Sequence, residues 1–226
     1  MILNDAADIR LGGDTVEAVY LGEDKVWPSG GDYTPIDWIQ ATGTQFIDTG
    51  YAQQGNSVKI VADAEITGGG DNAALVCGSN VGVTITWLST SYQYRYNVLI
   101  NMSAYLKSNS SHDPYGAGTR ILVEANVNPS AVTITENSVN QGSKPGQSAA
   151  ANGIPYCIFA YRQDAQSAPS MFIGAKLYSC KIYDNGTIVR DIMPMIRNSD
   201  GKPGLWDSVT QTFFTNAGTG EFVVPT

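Results

Sequence analysis

Residues 171–192 hold the pattern that most restricts the fold. Two alternating runs flank Asp184-Asn185-Gly186. Asn-Gly between such runs marks a tight hairpin, because a type I′ turn needs two adjacent residues that tolerate positive φ. On the first run Tyr178, Cys180 and Ile182 share one face, and on the second Ile188 and Ile192 keep the two-residue period. The expectation is a rigid, half-buried ribbon. Nothing in it is chemistry, so function must lie in what the ribbon supports.

The same period fills much of the chain. Val58, Ile60, Ala62, Ala64 and Ile66 face one way while Lys59, Asp63 and Glu65 face the other, as in a sheet wet on one side. Ile121, Val123, Ala125 and Val127 oppose Val132 and Ile134. Further runs at 37–51, 73–77, 82–88, 92–100, 155–161, 204–207 and 212–215 give about twelve strands at near-regular spacing. No window sustains a 3.6-residue apolar period. The fold class is all-β, a two-sheet antiparallel sandwich. Segments 101–119 and 137–156 are polar and read as loops, the second a long surface excursion.

Residues 1–28 form a small module ahead of a linker at 29–34 and the sandwich at 35–226. Three short strands are expected, at 9–11, 16–21 and 25–27, with Pro28 stopping the last. Their apolar side chains are Ile9, Leu11, Val19, Tyr20, Leu21, Val26 and Trp27. So few cannot offset backbone ordering at about 1–2 kcal/mol per residue. The module must dock on its own sandwich, on a sister subunit or on another protein, and the linker-like 28–32 favours the latter two.

A net charge of −8 argues against nucleic acid and anionic membrane as partners. Cys77, Cys157 and Cys180 lie in apolar runs without metal-ligand spacing, which reads as buried free thiols. The first residues lack a secretory signal, and no stretch reaches the roughly 20 apolar residues of a membrane span. Synthesis in a cytoplasm without export through a signal peptide is expected.

Chemistry is sparse. Glycoside hydrolysis needs two carboxylates flanking the scissile bond. The nearest pair, Asp63 and Glu65, reads as a solvated strand face. His112, the single histidine, sits in a polar loop beside Asp113 without a nucleophile elbow. No metal site is expected from a His/Cys/carboxylate cluster, and Ca²⁺ at Asp71 and Asn72 has only one acidic loop behind it. Aromatic residues remain. Trp87 and the stripe Tyr92, Tyr94, Tyr96 could stack on sugars or serve the core; Gln93, Arg95 and Asn97 look like the wet side and favour core. For glycan binding the loop residues Tyr105 and Tyr115 are the better platforms, with Trp87 and Tyr94 behind them.

Several blocks, in order, resemble laminin-G-like, concanavalin A-like jelly-roll domains of phage and gut-bacterial surface proteins. They are Gln40–Tyr51, Cys157–Ala160, Leu177–Gly186, Val189–Pro194, Asp200–Asp207 and Phe213–Phe222. Ile9–Gly12, Val19–Gly22 and Lys25–Pro28 resemble the N-terminal leader of phage tail and virion-surface proteins. The resemblance implies a jelly roll on the virion surface, as capsid decoration or tail-fibre adhesin, anchored to other virion proteins by its N-terminus. A homo-oligomer is expected, with a trimer natural, that binds cell-surface glycan or none, and without a catalytic carboxylate pair no enzyme is expected. The alternative is a bacterial carbohydrate-binding surface lectin. A glycoside hydrolase comes third, because the Glu-x-Asp-x-Glu run of laminarinase-type relatives is absent.

Overall fold

A computed structural model describes residues 10–11, 14–15, 18–21, 24–28, 32–70, 72–78, 82–88, 95–100, 103–112, 119–148, 153–164 and 167–225. Every strand pairing in it is antiparallel. Four short strands come first: β1 (Arg10–Leu11), β2 (Asp14–Thr15), β3 (Ala18–Leu21) and β4 (Asp24–Pro28). They form two separate ribbons, β1 with β2 and β3 with β4, and neither joins a sandwich sheet. Three strands were expected; four occur, because Asp14–Thr15 and Ala18–Leu21 belong to different ribbons.

The sandwich strands follow in chain order. The first six are β5 (Tyr33–Pro35), β6 (Ile39–Thr42), β7 (Ile47–Ala52), β8 (Val58–Gly68), β9 (Ala73–Cys77) and β10 (Val83–Leu88). Then come β11 (Arg95–Ile100), β12 (Ser103–Lys107), β13 (Ile121–Val127), β14 (Ala131–Glu136) and β15 (Val139–Pro145). The last are β16 (Pro155–Ile158), β17 (Gly174–Asp184), β18 (Thr187–Arg197), β19 (Lys202–Asp207) and β20 (Thr212–Thr215). One sheet runs β12-β11-β10-β9-β16-β7, and the other β15-β14-β13-β8-β17-β18-β19-β20. β17 and β18 splay apart at one end, and the fork is filled by β6 on β17 and β5 on β18. The sandwich therefore begins at Tyr33.

Burial follows the period of two. Ile60, Ala62, Ala64, Val123, Ala125, Ile134, Leu177 and Ile182 are fully enclosed between the sheets, where each large aliphatic side chain contributes about 1.5–3 kcal/mol. Asn185 (φ 47°) and Gly186 (φ 81°) make the expected turn between β17 and β18. Two bulges alter the faces of that ribbon. One between Leu177 and Ser179 turns Tyr178 outward while Leu177 and Cys180 both point in. The other, opposite Ile182 and Tyr183, breaks the phase between Ile188 and Ile192, so Arg190 and Ile192 face the interior instead.

Two segments expected to be loops contain strands. Residues 103–107 form β12 and residues 139–145 form β15, the outermost strands of their sheets on the same side of the sandwich. Asn137 and Ser138 both have positive φ and turn β14 into β15. Among the described residues Cys77, Cys157 and Cys180 are buried and form no disulfide with one another. Burial pushes the Cys157 and Cys180 thiols up to about 12.

Candidate functional site

Because β12 and β15 are both outermost strands, their facing rims leave a groove of about 380 Å³ along one side of the sandwich. β12 and the residues after it supply Tyr105, Leu106, Lys107 and Asn109; β15 supplies Gly142, Ser143 and Lys144. The rims are tied by a bond from the Asn109 N–H to the Gln141 carbonyl, 2.8 Å. Gly142 allows the close approach: a Cβ there would stand 3.0 Å from Leu106 Cδ1.

Tyr105 is fixed at both ends. Its ring packs on the core, and its hydroxyl donates to the Pro145 carbonyl at 2.8 Å. Lys144 Nζ stands 5.2 Å from the ring centroid, within cation–π range. The lining thus combines a held aromatic ring, an amide, a hydroxyl and two ammonium groups, and contains no Asp or Glu. Such a lining offers hydrogen-bond donors and acceptors beside an aromatic ring that Lys144 stands over, a groove able to take a polar ligand.

The other sequence candidates fall differently. Tyr105 lies on a strand, not in a loop. Trp87 is in the core, 1% exposed, with its ring edge-on to Tyr96 at 5.1 Å; a ring so placed offers no face to a sugar. Tyr94 and Tyr115 lie outside the described residues, as do Ile9 and Asp71. Leu11, Val19, Tyr20, Leu21, Val26 and Trp27 lie on β1, β3 and β4, where Val19 is registered opposite Trp27. Asn97 is not on a wet face: it is fully buried and donates to Thr86 Oγ1 at 3.3 Å.

His112 is docked rather than loose. It stacks on Trp87 at 5.7 Å, meets Tyr96 edge-on at 5.8 Å, and stands 2.9 Å from the buried Glu136 carboxylate. Burial, reinforced by the Glu136 charge, pushes the Tyr96 phenol well above its ordinary range. The cluster pins the chain beyond β12 to the sandwich interior.

Asp63 and Glu65 lie on the outer side of β8 but not on a solvated face: Glu65 is 8% exposed, and both carboxylates are paired. Asp63 takes two bonds from Arg120, at 2.7 and 2.6 Å. Glu65 accepts from Lys176 at 3.3 Å and from the Tyr178 hydroxyl at 3.2 Å. Among the described residues no group of three His, Cys, Asp or Glu is placed to hold a metal ion.

Sequence reasoning missed Lys107, Asn109, Ser143 and Lys144. Its one available signal was Asn137-Ser138, two turn-tolerant residues between Thr133–Glu136 and Val139.

No protein-family model and no curated protein matches the sequence. Solved structures do. A candidate carbohydrate-binding protein from Bacteroides ovatus superposes with a TM-score of 0.59 at 10% identity, over 85% of this chain and 60% of that one. The native heptameric SAP-like pentraxin from Limulus polyphemus matches with a TM-score of 0.49 at 7% identity, over 66% of this chain and 73% of that one. The chain therefore spans about three-fifths of the length of the Bacteroides protein. With its two antiparallel sheets, the chain is an all-β jelly-roll sandwich, the fold it shares with the Bacteroides protein.

Proposed function

We propose that this chain is a non-enzymatic glycan-binding protein displayed on a particle or cell surface, with the β12–β15 groove as its site. The observation that carries this reading is Tyr105, a ring held in place among amide, hydroxyl and ammonium groups on an open rim. The sandwich it shares with the Bacteroides protein supports the reading. A second groove, of about 390 Å³ between 197–203 and 215–222, serves less well. Its guanidinium, on Arg197, is engaged by Asp200 at 3.1 and 2.7 Å, and its aromatic residue, Phe222, is buried. Hydrolysis is disfavoured because Asp63 and Glu65 are held by Arg120 and Lys176.

The surface is that of a phage virion, as capsid decoration or tail adhesin, rather than a bacterial cell. The two N-terminal ribbons favour this version, since they pair outside both sandwich sheets and two-stranded ribbons so short are marginal without a partner. Assembly as a homo-oligomer, a trimer among the options, would supply part of that burial. Ca²⁺ is not required by this reading.

A glycan array tests the binding claim. The intact chain binds at least one glycan class, and Tyr105→Ala weakens it about thirtyfold, the cost of one central aromatic contact. An array without signal overturns the lectin reading. Deleting residues 1–28 should leave a folded sandwich that no longer joins the particle; retained incorporation overturns the anchor.

A further inference from the structure

Both faces of the ten-stranded sheet can be followed strand by strand from its register. Ser143 on β15, which lines the groove, is directly opposite Thr133 on β14. Thr133 is opposite Asn126 on β13, Asn126 opposite Lys59 on β8, and Lys59 opposite Tyr183 on β17. Directly opposed residues share a face, so these five form one row across the outer surface. Four strand spacings of about 4.8 Å make it roughly 19 Å long. The row ends in another groove, of about 350 Å³, lined by Ser57, Lys59, Asn126, Asn128, Tyr183 and Gly186.

The two grooves repeat one arrangement. In each, a lysine ammonium rests over a tyrosine ring: Lys144 at 5.2 Å from Tyr105 and Lys59 at 4.3 Å from Tyr183. In each, amide and hydroxyl groups surround the pair, and neither lining contains a carboxylate. This is unexpected in a chain of net charge −8. Repulsion from carboxylates beyond a Debye length of about 8 Å is screened at physiological salt, so Lys144 and Lys59 set the charge at the two ends of the row. At Tyr183 the ring face that a neutral sugar needs is occupied by the ammonium. A ligand that the ammonium itself attracts can bind there without displacing it into solvent. Asn128 donates to Asn126 Oδ1 at 3.3 Å, which leaves the Asn126 amide N–H groups for a ligand oxygen. One row along the strands, Glu124 brings back a negative charge and the Lys181–Asp191 pair adds no net charge, and together they bound the track.

Resting on the glycan-binding reading of the Tyr105 groove, we infer that the ligand is a linear anionic glycan, carboxylated or sulfated. It runs from that groove along the Ser143–Thr133–Asn126–Lys59 row to Tyr183.

Calorimetric titration of the full chain tests this with matched probes: oligogalacturonides against their methyl esters, and chondroitin sulfate fragments against desulfated ones, each short and long. The expected result is at least tenfold tighter binding of one anionic set than of its neutral counterpart, weakening as salt is raised. Long chains should bind more tightly than short ones. Lys59→Gln and Tyr183→Ala should remove that gain, about tenfold, while leaving short-chain binding intact; Lys59→Arg should keep it. Thermal unfolding of each variant confirms an intact fold. Equal, salt-independent binding of neutral chains overturns the anionic class and leaves the lectin reading standing. Unchanged long-chain binding by Tyr183→Ala overturns the track alone. Failure of every glycan, charged or neutral, overturns the Tyr105 reading itself.

Discussion

Removing the Asp184 carboxylate should loosen the sandwich at the end where its central hairpin turns. Asp184 is 7% exposed. It accepts the Tyr51 hydroxyl at 2.6 Å, the Gln54 N–H at 2.7 Å and the Gly55 N–H at 3.0 Å. These bonds clasp the chain after β7, on the six-stranded sheet, to the β17–β18 turn on the other. Hydrogen bonds to a charged group contribute about 1.5–3 kcal/mol each, but three that share one carboxylate are not additive, and the freed donors regain water in part. Asp184→Ala should therefore cost about 3 kcal/mol. At about 2–4 °C per kcal/mol for a chain of this size, the Tm falls by about 6–12 °C. Asp184→Asn keeps one acceptor oxygen and should lose about half as much. The Tyr51 phenol, held up by burial and by its bond to Asp184, should titrate at lower pH in both variants. Gly55 offers a control: a Cβ there would collide with the Asp184 and Asn185 side chains, so Gly55→Ala should open the same clasp. Differential scanning calorimetry reads all three. A Tm drop below about 2 °C for Asp184→Ala would refute the clasp.

Gly186→Ala forces a Cβ into a left-handed turn position, φ 81°, and should cost about 1–2 kcal/mol by urea unfolding. The Asp200 carboxyl is held down at about 2 by its bonds to Arg197; in an NMR titration Arg197→Gln should return it toward 3.8. The sign follows from the depressed value: this pair's stabilisation is present above about pH 4 and is lost as pH falls toward 2. Cys157 and Cys180 move the other way, from 9.0 to about 12. Their contribution is whole below pH 9 and fades as pH rises toward 12, and neither thiol should react with a disulfide reagent at neutral pH until denaturant is added.

The sandwich was legible where one face is dry. Along β8 the buried Val58, Ile60, Ala62 and Ala64 alternate with the half-buried Lys59, Val61 and Asp63, and the pattern breaks only at Glu65, which is buried beside Lys176 and Tyr178. The Asn185-Gly186 turn was legible because few residues tolerate its φ. The bulges at Tyr178 and beside Ile188 were not, since an inserted residue leaves the local composition unchanged and shows only in register. β15 was invisible for another reason. As the outermost strand it buries none of its residues, so Val139–Pro145 carries no apolar period. That hid half of the site: Tyr105 was identifiable as an aromatic residue in a polar stretch, but Ser143 and Lys144 become neighbours only once β15 is paired. His112 illustrates the same limit. Its partners Trp87, Tyr96 and Glu136 come from three strands of two sheets, and no spacing in the chain brings them together.

Whether the β12–β15 groove holds glycan is decided by amide chemical-shift mapping during titration with an array-positive glycan. The account predicts shifts concentrated at residues 105–109 and 142–144, with the Trp87 indole unmoved and the response lost in Tyr105→Ala. Shifts confined to 197–222, or a full response in Tyr105→Ala, would contradict it.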